Sequence, residues 1–238
     1  MENKGVAAVD RAFSIIGSFR AGEPSLSLQA LAERTGLNKA TVIRLIASLE
    51  KAGCMSRLAH GQYALGPALL RYGSLYQATF HLADPLMPVL RDLVRASGQT
   101  AAFFVRDGDM RICLHRVETD SALRLHLREG EARPMLPSGT GKVLLAFADE
   151  PDPRFPEVRE DYYTINFGER EAEISSLAAP VFQPRDALVG ALSLTGPTEQ
   201  FSDGKAMTFL RHLLPAAAEL TRLCGGDPAP FHERLSRL

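Results

Sequence analysis

The chain is poor in the features that staple, anchor or export a protein. Its 238 residues hold three cysteines, Cys54, Cys113 and Cys224, far apart and with no Cys-x-x-Cys pair. Neither a disulfide framework nor a zinc cluster is written there, and no metal or cofactor is expected. Apolar runs are broken by charge well before the roughly 20 residues needed to cross a bilayer. The start, Met1-Glu2-Asn3-Lys4-Gly5, has no apolar core or cleavage site of a secretion signal, so a cytoplasmic protein with no membrane partner is expected. Net charge is scarce too, formally -1, which argues against a generic binder of polyanions. The balance is uneven, however: the first 80 residues carry nine Lys and Arg against five Asp and Glu, the remainder 18 against 23. Phosphate attraction needs clustered cations, so a basic front and an acidic remainder suit DNA binding confined to one module. At this length, with 45% hydrophobic residues, two modest domains are favoured over one large one.

The front reads as three helices. Val9, Ala12, Phe13 and Ile16 follow an amphipathic spacing before the breakers Gly22 and Pro24. Ser27 is placed to cap a second, short helix with Leu28, Leu31 and Ala32 inward and Gly36 at its end. Asn38 caps a third, with Val42, Leu45, Ile46 and Leu49 inward and Gly53 as its stop. A connection as short as Gly36-Leu37-Asn38 makes the last two helices cross steeply. The outer face of the third helix carries Ala40, Ile43, Arg44 and Ala47, with Lys39 and Thr41 near its start. Small residues let a helix approach base edges, Arg44 can fork onto guanine or a phosphate, Ile43 can touch a thymine methyl, and Lys39 and Thr41 suit phosphate oxygens. Taken alone, such a face is better explained as a solvated surface.

The residues that follow favour the groove. The run from Cys54 to Leu58, the turn Ala59-His60-Gly61 and the run Gln62-Tyr63-Ala64-Leu65 predict a two-stranded hairpin, a wing offering Arg57, His60 and Gln62 to DNA. The stretch Leu31-Ala32-Glu33-Arg34-Thr35-Gly36-Leu37-Asn38-Lys39-Ala40-Thr41-Val42-Ile43-Arg44-Leu45, with Tyr63-Ala64-Leu65-Gly66 after it, resembles the IclR family of bacterial regulators. Family members usually have Pro and a hydroxyl residue where this chain has Asn38 and Ala40, and a polar or aromatic residue in place of Ile43. The resemblance implies a winged helix-turn-helix over residues 1–66 that binds double-stranded DNA at an operator, as repressor or activator. Its expected contacts are Asn38, Lys39, Ala40, Thr41, Ile43, Arg44, Arg57, His60 and Gln62.

Gly66-Pro67 opens a linker helix, expected to end near residue 83. Leu65, Leu69, Tyr72 and Tyr76 follow a spacing near 3.5 residues, which fits either a seam between two copies or packing within one domain. Family linker helices meet in a dimer, so the resemblance implies the seam and a homodimer or homotetramer.

From residue 84 an α+β domain is expected: a helix over 85–96, strands over 100–105, 112–117 and 123–127, then strands over 174–182 and 188–195 and a closing helix over 201–223. The tail 225–230 is expected to be mobile. Pro137-Ser138-Gly139-Thr140-Gly141-Lys142 leads into a helix whose glycine-rich start is a natural anion site. A phosphate loop is excluded, because Leu136 and Val143 occupy positions that motif reserves for Gly and for Ser or Thr. Cys113 and His115 share one face of a predicted strand and are the one candidate nucleophile and base. They lie too far apart along it for a good hydrogen bond and no third orienting group is evident, so an enzyme is not expected.

This half also resembles the IclR family, through Leu136 to Lys142, Leu177-Ala178-Ala179-Pro180-Val181-Phe182 and Ala191-Leu192-Ser193-Leu194-Thr195-Gly196-Pro197. The resemblance implies a GAF-like antiparallel-sheet effector domain with a pocket formed by Ala122, Leu125, Gly139, Thr140, Asn166, Ser176, Ser193 and Thr195. Donor groups and hydroxyls without a carboxylate cluster favour a small organic anion, an aromatic carboxylate or keto acid. Between Phe147 and Tyr162 the chain is shorter than family members, which normally carry a helical segment there. The lid over the pocket is therefore expected to be reduced, and a C-terminal domain that only oligomerises stays open as the alternative.

Overall fold

A computed structural model of the chain describes residues 5–20, 22–79, 83–119, 127–202 and 204–238. It divides into two compact units, Met1–Thr79 and Phe80–Leu238.

The first unit contains α1 (Ala7–Ile16), α2 (Leu28–Thr35), α3 (Lys39–Lys51), β1 (Met55–Arg57), β2 (Tyr63–Leu65) and α4 (Ala68–Thr79). The helix starts are set by capping: Ser27 Oγ accepts the Ala30 N–H at 3.1 Å and Asn38 Oδ1 accepts the Thr41 N–H at 2.8 Å. Gly36 ends α2 with φ +67°, a left-handed conformation that only glycine adopts without strain. Leu31, Val42, Ile46, Leu49, Met55 and Tyr63 fill the core. Leu26 exchanges two backbone hydrogen bonds with Tyr63, both 2.8 Å, tying the wing to the entrance of α2. Arg34 grips Glu23 with both terminal nitrogens, at 2.6 and 2.8 Å, and donates to the Ser18 carbonyl at 2.8 Å, which pins α2 to the chain after α1.

In α1 the expected apolar stripe forms but half of it faces away from the core. Val9 is 50% exposed and Phe13 64%, while Ile15 is fully buried. On α4, Tyr72, Leu75 and Tyr76 are exposed, whereas Leu69 packs against its own core.

The second unit is built on a six-stranded antiparallel sheet of order β5-β4-β3-β8-β7-β6. Its strands are β3 (Thr100–Asp107), β4 (Met110–Val117), β5 (Ala132–Pro134), β6 (Thr164–Phe167), β7 (Ile174–Gln183) and β8 (Ala187–Pro197). Alternation gives each strand two faces. Ala101, Phe103, Leu177, Leu192 and Leu194 point to one side, where α5 (Ala83–Ser97) and α8 (Lys205–Leu223) add Leu86, Leu90, Leu210 and Leu214. Ala102, Phe104, Cys113, Ala178 and Ala191 point to the other, under α6 (Gly139–Ala146) and α7 (Pro156–Asp161).

Several expectations are corrected. β5 and β6 extend the sheet at both edges, and α7 occupies the shortened segment. The tail is not loose: α9 (Ala229–Leu235) seals the apolar side with Phe231, 1% exposed and packed on Tyr162 at 5.3 Å between ring centroids. Arg234 reinforces it by donating to the Glu160 carbonyl at 2.8 Å. Gly225, Gly226, Pro228 and Pro230 resemble a disordered linker, but Phe231, directly after them, finds a slot in the core. The strand expected over 123–127 lies, apart from its last residue Leu127, outside the described residues.

Phe231→Ala is expected to cost about 3–5 kcal/mol, as for other buried aromatic truncations. Urea unfolding measures it, and a midpoint equal to that of the unsubstituted chain would show that the tail carries no stability.

Candidate nucleic-acid interface and ligand cleft

On α3, Lys39, Ala40, Ile43, Arg44 and Ala47 are exposed and Thr41 is half-buried, so the outer face is free of the core that Val42, Ile46 and Leu49 complete. Arg44 has no ion-pair partner among the described residues. Asn38 is differently placed: its carbonyl oxygen is committed to the helix cap, which leaves only its amide NH2 for a partner. In the wing, Arg57 is exposed and lies 5.9 Å from the Tyr63 ring centroid. The Gln62 side-chain oxygen accepts from Ser25 and sits 3.3 Å from His60 Nε2, so Gln62 braces the wing and His60 marks its exposed tip. An α-helix with small and cationic outer residues beside a two-stranded ribbon fits a major groove and the adjoining backbone.

The second unit holds an open cleft between the sheet and the start of α6. Ser193 and Thr195 from β8, Ser176 from β7 and Asn166 from β6 line its floor, with Thr140 from α6 opposite. Gly139, in the first turn of α6, stands over that floor: a Cβ there would lie 3.3 Å from Ser176 Oγ. Ala122 and Leu125 lie outside the described residues. None of residues 147–162 lines the cleft, so α7 is no lid over it.

Glycine in the Ser138 to Lys142 motif has a packing reason. A Cβ on Gly141 would lie 1.7 Å from the Met135 carbonyl oxygen, so only glycine lets the helix start so close to the preceding chain. Ser138 Oγ accepts the Gly141 N–H at 3.1 Å and caps the helix. Lys142 is paired with Glu169 at 2.5 Å and does not reach into the cleft as a phosphate-loop lysine would. The Glu169 N–H in turn donates to Asn166 Oδ1 at 3.3 Å, which orients the Asn166 amide. The Asn166 Nδ2 is buried with no acceptor among the described residues. Leaving such a donor unpaired costs about 1–3 kcal/mol, a cost that a ligand oxygen would remove.

Three cationic residues of the cleft, Arg111, Arg116 and Arg170, were not among those expected from sequence. Arg116 is held by Glu118 at 3.2 Å. Arg111 lies against the Phe104 ring, 4.8 Å from its centroid, and its Nε donates to the Pro134 carbonyl at 3.2 Å. Burial, with Arg170 and Arg133 nearby, lowers its pKa to about 10, which still leaves it charged at neutral pH.

Residues 8–57 match the IclR helix-turn-helix domain, and residues 75–155 and 152–222 match the bacterial transcriptional regulator IclR C-terminal domain. The chain belongs to the IclR family. It is 24% identical over 250 residues to the HTH-type transcriptional regulator KipR of Bacillus subtilis, covering 94% of this chain and 99% of KipR. Among solved structures, an IclR-type regulator from Silicibacter sp. superposes with TM-score 0.82 at 26% identity, over 94% of this chain and 99% of that one. An IclR homologue from Microbacterium hydrocarbonoxydans complexed with 4-hydroxybenzoate shares the fold, with TM-score 0.72 at 17% identity over 98% and 100% of the two chains. IclR-family proteins are transcriptional regulators, not enzymes, and the α+β architecture with a helix-turn-helix in front is that of the family. No helix among the described residues is long and apolar enough to cross a membrane.

The enzyme alternative also fails on geometry. A bulge between Phe103 and Phe104 pairs Cys113 with Phe104 but His115 with Phe103, whose rings lie on opposite faces of the sheet. The shared strand face expected for Cys113 and His115 therefore does not exist, because a bulge inverts the alternation beyond it. Burial raises the Cys113 thiol to about 12, far from a nucleophilic thiolate. At pH 8, below that value, Cys113 stays protonated and is expected to resist a disulfide reagent in the native protein while reacting after denaturation. Rapid native labelling of Cys113, read by peptide mass spectrometry, would contradict the buried placement.

Proposed function

We propose that this IclR-family chain binds an operator in double-stranded DNA as a homodimer, or a homotetramer built from it, and that a small organic acid in the cleft modulates that binding. The observation that carries the DNA half is the outer face of α3, where Ala40 and Ile43 permit close approach and Arg44 is exposed and unpaired. Ala40, Ile43 and Arg44 read base edges, while Lys39, Thr41, the Asn38 amide and, from the wing, Arg57, His60 and Gln62 hold the backbone. Residues 1–66 form the reading module, residues 67–83 the linker helix and residues 84–238 the effector domain, and the protein acts in the cytoplasm. Two exposed apolar stripes, Val9 with Phe13 and Tyr72 with Leu75 and Tyr76, support pairing of copies.

Gly139, Thr140, Asn166, Ser176, Ser193 and Thr195 hold the effector, with Ala122 and Leu125 completing the pocket. Ser193 donates to the Ala102 carbonyl at 3.3 Å, so toward a ligand it serves as an acceptor, while Asn166 serves as a donor. An aromatic carboxylate or keto acid suits a cleft with a cation, an amide donor and the apolar surfaces of Ala102 and Phe104. The structural neighbour holding 4-hydroxybenzoate supports that class of ligand.

Fluorescence anisotropy of the full chain on the DNA upstream of its own gene tests the first half. Arg44→Ala is expected to weaken binding by about 1–3 kcal/mol, and wild-type affinity to fall steeply with salt. Unchanged affinity in the variant would remove α3 as the reading helix. For the second half, an acid that raises the melting temperature is expected to change operator affinity, because a ligand shifts an equilibrium only through differential binding. Equal operator affinity with and without such an acid would reduce the C-terminal domain to an oligomerisation module.

A further inference from the structure

The charges of the cleft are unequal in a way that selects among acids. Arg116 already has a carboxylate partner in Glu118. Arg170 is exposed, and the adjacent Glu171 carries the opposite charge at the same place. Among the described residues of the cleft, Arg111 alone is both buried, at 6% exposure, and without a carboxylate partner. Its Nε is committed to the Pro134 carbonyl and its face to the Phe104 ring, so the guanidinium is fixed in orientation. The two terminal nitrogens have no acceptor among the described residues. A buried cation held rigidly by neutral contacts, with its paired donors uncommitted, is the arrangement that binds a carboxylate side by side through two hydrogen bonds.

We propose that Arg111 is the specificity-determining residue of the cleft: it receives the acid group of the effector, and the effector carries a single carboxylate. This rests on the reading of the cleft as the effector site and sharpens it, because the glycine-rich helix start would otherwise be the natural seat for the negative charge. One buried uncompensated cation matches one negative charge. A second carboxylate would lie among Ser176, Ser193, Thr195 and the Asn166 amide, neutral groups that do not compensate its desolvation. The Phe104 ring beneath the guanidinium lies where the apolar body next to the carboxylate would rest.

The test uses the full-length protein and fragment probes: acetate, benzoate and succinate, with acetamide and benzamide as uncharged isosteres, at ionic strength matched with sodium chloride. Thermal shift is expected to rise with acetate and more with benzoate, to stay flat with the amides, and to show no advantage for succinate over the monocarboxylates. Arg111→Met should abolish the benzoate shift, while Arg111→Lys should keep a smaller one because it retains charge without the fork. Without any acid, Arg111→Met should melt at the same temperature as wild type or higher, since removing an uncompensated buried charge relieves desolvation. A merely structural arginine would lower it. Equal benzoate shifts in wild type and Arg111→Met would overturn the role of Arg111 and leave the organic-acid reading standing. A stronger effect of succinate would overturn the single charge. If no acid shifts the wild-type protein at tens of millimolar, both this inference and the organic-acid reading fall.

Discussion

What makes a binding site possible in the second unit is incomplete coverage of a sheet. Six strands spaced about 4.8 Å apart span about 24 Å. On the apolar side α8, 19 residues long, packs on β7 and β8 while α5 packs on β3 and β4, so the two helices together cover the central strands. On the other side α6 has eight residues, about 12 Å, and covers only part of the sheet. Strand positions under α6 are Ala178 and Ala191, small enough to let it sit close. Those beyond it are Ser176, Ser193 and Thr195, which line the open cleft. The cleft is thus the remainder left when a short helix packs on a wide sheet.

The start of α6 has to satisfy two demands at once. It must come close to the Met135 backbone, which fixes Gly141, and it must face the open floor, which Gly139 does beside Ser176. The ion pair of Lys142 with Glu169 and the hydrogen bond from Glu169 to Asn166 then connect that helix to the strand below. Glycine-rich spacing suggests anion binding when read as a motif. In this chain packing accounts for much of it, and the uncompensated positive charge lies elsewhere, on β4.

Those residues differ in how plainly the sequence announces them. Helix caps are local: Ser27 and Asn38 are legible because each accepts a backbone N–H three residues on, and Gly36 because its own left-handed conformation ends α2. Strand faces are legible while alternation holds, as for Ser193 and Thr195, and fail at a bulge, as for Cys113 and His115, because a bulge has no sequence signature of its own. Short edge strands such as Ala132–Pro134 and Thr164–Phe167 depend on a distant partner and leave little local signal. Arg111 was missed because a charged residue in a strand ordinarily marks the solvent face. The signal that could have found it is that Cys113, two positions on and therefore on the same face, belongs to a buried pattern. A lone arginine sharing a face with buried residues is a candidate for a ligand's counter-charge. The family resemblance located the floor of the cleft, yet the residue with the greatest unmet charge came only from three-dimensional placement.

In the first unit the cations bear on the proposed pairing of copies. The outer face of α3 and the wing offer Lys39, Arg44 and Arg57, three per copy, since Arg34 is consumed by Glu23. Phosphate attraction grows with the number of cations that meet the backbone. On the proposed reading, pairing two copies on adjacent half-sites doubles that number per operator. The exposed apolar stripes of α1 and α4 fit the proposed pairing: they are apolar surface the unit's own core does not use. A reading module that acts in pairs can be governed through the geometry of its pairing. On the proposed reading, that is how a ligand in the cleft of the second unit alters operator affinity.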